Sequence, residues 1–75
     1  MGVSRSQESS IQILIDDAGS GVTYVGEGVS GTATSAARWK IRKLLDSSGD
    51  LTVTFADGDE KFDNVWDNRA SLSYS

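Results

Sequence analysis

Alternation of apolar and polar positions is the strongest pattern in this chain. In IQILID, residues 11–16, Ile11, Ile13 and Ile15 fall on one side of an extended backbone and Gln12, Leu14 and Asp16 on the other, which predicts a strand. DAGSG at 17–21 has the composition of a turn. VTYVGEG at 22–28 then alternates Val22, Tyr24 and Gly26 against Thr23, Val25 and Glu27, so the two runs predict a hairpin. Further on, LTVTFA at 51–56 sets Leu51, Val53 and Phe55 against Thr52, Thr54 and Ala56. The turn-like DSSGD at 46–50 precedes it, and Asp57-Gly58, a dipeptide suited to tight hairpins, follows.

Residues 32–45, TATSAARWKIRKLL, fit two periods. As a helix over 34–45, Ser35 is an N-cap and Ala37, Ile41, Leu44 and Leu45 share a face. As a strand, Ala37, Trp39 and Ile41 point inward while Arg38, Lys40 and Arg42 point outward. The strand is favoured, because the helix sets Trp39 away from the centre of its apolar stripe and a chain this small needs its large aromatics in the core. Near the end, Phe62, Val65 and Trp66 are spaced for one helical turn, and Leu72 and Tyr74 suit a closing strand.

Together these elements predict an all-β fold: a small antiparallel barrel or sandwich of four to five strands with one helical turn near the C-terminus. The alternative is an α+β arrangement with the helix at 34–45. Residues 1–9 are polar and aperiodic, which predicts a flexible arm before a single small β domain at 10–75. The strand pattern assigns Ile13, Ile15, Trp39, Ile41, Val53 and Phe55 to the core. The C-terminal pattern adds Phe62, Val65 and Trp66.

Composition narrows the chemistry. A chain of 75 residues buries only about 60% of the surface its unfolded form exposes, so neighbours that bind the folded state would help to hold it. There is no cysteine and no histidine, which removes disulfides, thiolate metal sites, the commonest general base and most zinc and copper sites. Most hydrolase mechanisms go with them, and no catalytic residue, cofactor or metal ligand is assigned. Eleven acidic against seven basic residues give a net charge of -4, which argues against general nucleic-acid binding. The apolar runs are too short for a membrane span, and MGVSRSQESS lacks the apolar centre of a signal peptide.

Three constellations remain. Gly26, Gly28 and Gly31 follow the G-x-G-x-x-G spacing of dinucleotide-binding loops. Glu27, however, would put a negative charge beside a pyrophosphate, and one strand-helix-strand unit leaves no crevice for a cofactor. The expectation is a flexible or bulged connector between two strands, with Glu27 facing solvent. Asp57, Asp59, Glu60, Asp63 and Asp67 cluster as calcium ligands do, but Lys61 stands where the third ligand belongs, and a solvated acidic turn explains them better. Arg38, Lys40, Arg42 and Lys43 form a basic stripe flanked by Trp39; a strand's solvated face explains it better than nucleic-acid binding, and a third option is that it pairs with the acidic 57–67 region, within one molecule or on a neighbouring copy. Arg38, Lys40, Arg42, Asp57 and Asp59 are therefore the candidate interaction surface.

From Gly31 onward, GTATSAARWKIRKL followed by FADGDEKFDNVWDNRASLSYS resembles a family of short, largely uncharacterised proteins of tailed bacteriophages and prophages. Gly31-Thr32-Ala33-Thr34-Ser35, Trp39 with Ile41, and Ala56-Asp57-Gly58 carry the likeness. The most specific part is the terminal run from Phe62 to Leu72, FDNVWDNRASL. The resemblance implies a non-enzymatic virion structural protein, a capsid decoration or a neck or tail component, present in multiple copies. Its partners would be other virion proteins and copies of itself, after synthesis in the bacterial cytoplasm. Two alternatives are a host-surface or glycan-binding module stacking sugars on Tyr24, Tyr74 or Trp66, and a small intracellular regulator of a host protein.

Overall fold

Residues 10–75, the part of the chain described by this computed structural model, are built mainly of antiparallel strands. In chain order these are β1 (Ile11–Gly19), β2 (Val22–Val29), β3 (Ala37–Ser47) and β4 (Asp50–Phe55). They are hydrogen-bonded side by side in that same order, and the two-residue β5 (Asn64–Val65) pairs with the start of β3. A 3-10 helix, Trp66–Ser71, follows β5. The all-β class is as expected, and the strands form one sheet with β1 and β4 at its edges. The layer packed on that sheet is the C-terminal segment. The strand reading of the ambiguous stretch holds from Ala37 onward. Residues 32–36 form a tight connection, held by Thr32 N–H donating to Val29 O (3.0 Å) and Ala36 N–H to Ala33 O (3.0 Å). The arm expected at 1–9 lies outside the described residues.

Three dipeptides set the hairpin geometry. Ser20-Gly21 (φ 55° and 81°), Ser48-Gly49 (54° and 90°) and Asp57-Gly58 (60° and 72°) each place two successive residues at positive φ, as a type I′ turn requires. The twist of such a turn matches that of the strands it joins, so β1–β2 and β3–β4 close without splaying. The third turn does not open a long hairpin. The chain returns from the 3-10 helix instead, pairing Tyr74 with Ala56, while Ser75 and Phe55 exchange backbone hydrogen bonds at 3.2 Å. The predicted closing strand is reduced to this short bridge.

The covered face of the sheet carries the core: Tyr24, Trp39, Ile41, Ala56 and Trp66 are buried, with Leu14, Val22, Leu72 and Tyr74 packed around them. Several expected core residues are elsewhere. Ile13, Ile15, Val53 and Phe62 are exposed by about half or more (56%, 70%, 46% and 53%), and Phe55 and Val65 are half-buried. The reason lies in the register. Ile13 and Ile15 pair with Glu27 and Val25, and Val53 and Phe55 pair with Leu44 and Arg42, so all four point away from the face that holds Gly26, Trp39 and Ile41. Leu72 and Tyr74 of the C-terminal segment pack on that face, beside Trp66. Phe62 precedes that cover, and the helical turn expected around Phe62, Val65 and Trp66 begins at Trp66.

Candidate interaction surface

The glycine-rich run has a role that its spacing did not suggest. Gly26 and Gly28 lie inside β2, two residues apart on the covered face, with no bulge. A Cβ at Gly26 would stand 2.6 Å from Cε3 of Trp66, and one at Gly28 would stand 2.8 Å from Cε3 of Trp39. The two glycines are a bare floor on which two indole rings rest. The expected connector is therefore corrected: of the three glycines only Gly31, at φ 90°, is in the link between β2 and β3. The rings sit 6.4 Å apart and tilted by 46°, an attractive aromatic geometry. Trp39 Nε1 donates to Ala33 O at 3.0 Å, which satisfies a ring that is fully buried.

Residues of the FDNVWDNRASLSYS run build the rest of this cover. Arg69 lies over the Trp66 ring, 4.6 Å from its centroid, and donates through Nε to Asp16 Oδ2 at 2.9 Å, clamping the 3-10 helix to β1. Tyr74 packs on Tyr24 with ring centroids 5.8 Å apart and donates its hydroxyl to Arg69 O at 2.8 Å. Burial, with the neighbouring Tyr24 and Asp57 adding to it, pushes the Tyr74 phenol up to about 12, against a smaller opposing pull from Arg69. Tyr24 and Trp66 are buried and so are not the exposed stacking platforms that a glycan-binding reading requires.

The opposite face of the sheet is open. Its margins are apolar: Ile11, Ile13 and Ile15 along β1 with Val29 beside them, and Leu51 and Val53 along β4, each exposed by 46% or more. Its centre is ionic. Glu27 on β2 binds Lys40 Nζ at 3.2 Å and Arg42 Nη2 at 2.9 Å, both on β3, and the three side chains keep only 18–29% of their surface in water. Glu27 is thus drawn into an ion-paired cluster rather than left facing solvent. Arg42 also lies 5.5 Å from the Phe55 ring centroid, and Lys40 lies 5.2 Å from that of Phe62. Arg42 Nε is buried without a hydrogen-bond partner, and the Phe55 contact gives its cation a partial substitute.

The structure brings Lys40 and Arg42 together, as the sequence pattern anticipates, and leaves Arg38 exposed on the same strand. Among the described residues the ion pairs of this stripe are with Glu27, not with the acidic 57–67 region. Asp57 sits in the type I′ turn, and Asp59 accepts a hydrogen bond from Lys61 N–H at 3.0 Å, which makes that stretch a local acidic turn. Sequence reasoning placed Glu27 at the surface but missed it as the ion-pair partner of Lys40 and Arg42, and it assigned Ile13 and Ile15 to the core rather than to the open face. A signal was present: Glu27 lies between two glycines, so in a strand it faces away from any ring that they accommodate. No family model, curated protein or solved structure matches this chain.

Proposed function

We propose that this chain is a non-enzymatic assembly component of a tailed-bacteriophage particle, docking in multiple copies through the open face of its sheet as a capsid decoration or a neck or tail part. The observation that carries this reading is the uncovered apolar surface of Ile11, Ile13, Ile15, Val29, Leu51 and Val53 around an ionic centre. Contiguous apolar patches of this kind on small proteins serve as contact surfaces. The likeness of the terminal FDNVWDNRASL run to phage and prophage proteins supplies the biological setting. Many modest contacts between identical copies, summed over a ring or lattice, give firm attachment without any single strong one.

Mass spectrometry of purified particles from the encoding phage tests the reading directly. The expected result is this chain at many copies per particle, reduced to trace by Ile13→Asp with Ile15→Asp while the free protein stays folded. Particles that lack the chain altogether would sink it.

A further inference from the structure

The open face is patterned to match itself. Reading across the sheet, Ile13, Glu27 and Lys40 stand in one row, and Ile15, Val25, Arg42 and Phe55 stand in the next. The acid lies on β2 and both bases lie on β3, with apolar side chains outside them on β1 and β4. A twofold axis parallel to the strands and midway between β2 and β3 keeps each row at its height while exchanging the two sides. Under that rotation β1 of one copy lies over β4 of the other, and β2 lies over β3. Glu27 then faces the partner's Lys40, Val25 faces the partner's Arg42, and Ile15 faces the partner's Phe55. A twofold axis across the strands instead lays β2 on β2 and β3 on β3, setting Lys40 and Arg42 against their own copies, a like-charge juxtaposition that disfavours association. The charges therefore select one of the two face-to-face arrangements.

We infer that the occupant of the open face is a second copy of this chain, forming a twofold β-sandwich dimer with its axis along the strands; this inference rests on the proposed role of that face in assembly. The remaining residues of the chain do not suit the place. Among residues 1–9 the only large apolar side chains are Met1 and Val3. The size of the face fits. Four strands about 4.8 Å apart and about seven residues long at about 3.3 Å each give roughly 19 by 23 Å, or about 450 Å² in projection. Two such faces bring together about 900 Å² before side-chain relief is counted, close to the roughly 1,000 Å² that a specific interface needs. Aligned sheets in sandwiches cross at about 30°, so contacts hold best near the centre, where Glu27, Lys40 and Arg42 lie. Those three are already paired with one another, so no charge of the triad enters the interface without a partner of opposite sign.

Sedimentation equilibrium of the full chain between about 1 µM and 1 mM tests this, and the expected result is a monomer-dimer equilibrium. Ile15→Asp, at a position 70% exposed in the single copy, should weaken association by about a hundredfold or more, as loss of an apolar interface anchor does, while leaving the near-ultraviolet circular dichroism of the buried tryptophans unchanged. Charge exchange tests the axis. Glu27→Lys alone and Lys40→Glu with Arg42→Glu alone should each stay monomeric, whereas the chain carrying all three changes should dimerise with itself but not with wild type, because reversing every charge keeps opposite charges face to face only where β2 lies over the partner's β3. A wild-type chain that stays monomeric to 1 mM, a larger open assembly, a dimer indifferent to Ile15→Asp, or a folded triple charge variant that stays monomeric or pairs with wild type would each overturn the inference. A solution monomer found at many copies in particles would overturn this dimer and leave the assembly role standing.

Discussion

At the scale of single residues, the two strand glycines govern the core because each removes a side chain where a ring must lie. Gly28→Ala should destabilise the protein by about 1–3 kcal/mol, since the new methyl meets the Trp39 ring and only ring or backbone movement relieves it. Urea unfolding checks this, with the midpoint lowered and the slope unchanged. Gly26→Ala should behave likewise against Trp66 and should be rescued in part by Trp66→Leu, the positive coupling expected of groups in contact. Tyr74 gives a pH signature. Its folded pKa of about 12 lies above the ordinary value of 10.0, so above pH 10 the unfolded chain releases the phenolic proton more readily than the native one. The stabilisation from this group is therefore complete below pH 10 and is lost as pH rises towards 12. Compared with wild type, Tyr74→Phe should lower stability at pH 8 by removing the hydrogen bond to Arg69 O, and it should show a flatter fall between pH 10 and 12. Thermal melts across that range read both effects.

At the scale of elements, the sheet depends on its turns and on the C-terminal cover. Gly49 sits at φ 90° with open space around its Cα, so Gly49→Ala carries backbone strain alone and should cost about 1–2 kcal/mol. Thermal unfolding measures it. Deleting residues 72–75 removes the Tyr74 bridge to Ala56 and the Leu72 contact, so the truncated chain should bind an apolar dye strongly and lose near-ultraviolet signal while keeping strand absorption. Much of this was legible in advance. The period of two in 11–16, 22–28, 37–42 and 51–56 locates four strands, and the turn-like DAGSG and DSSGD runs locate the tight turns of the β1–β2 and β3–β4 hairpins. Which face is inside was not legible from alternation, because β1 and β4 carry Ile and Val on the open face, and an alternating pattern marks a face as apolar without saying what covers it. The covering layer comes from Trp66, Arg69, Leu72 and Tyr74, a stretch whose pattern offers only one helical turn and a two-residue strand signal. Its place is set by contacts such as Arg69 with Asp16, distant in sequence.

At the scale of the whole molecule, one sheet and one cover leave an elongated globule, 50 × 24 × 19 Å. Its radius of gyration is 14.0 Å against about 11 Å for a chain of this length packed to ordinary compactness. The excess reflects long hairpins whose second face has no layer in the single copy. Stability should therefore depend on protein concentration. If copies associate through that face, the melting midpoint should rise by several degrees between about 5 µM and 500 µM, as ligand-linked folding requires. Ile15→Asp should abolish the dependence. Scanning calorimetry at the two concentrations is the measurement.

The tilted indole pair also makes the protein its own optical gauge. Rings 6.4 Å apart are close enough for their excited states to mix, which should give a paired positive and negative band in the circular dichroism and efficient passage of excitation from one tryptophan to the other. Both chromophores lie on the covered side of the sheet, so this signal reports the docking of the C-terminal segment and is shielded from events on the opposite side. Light absorbed by the tryptophans can thus separate a chain that has failed to fold from one altered only on its open face.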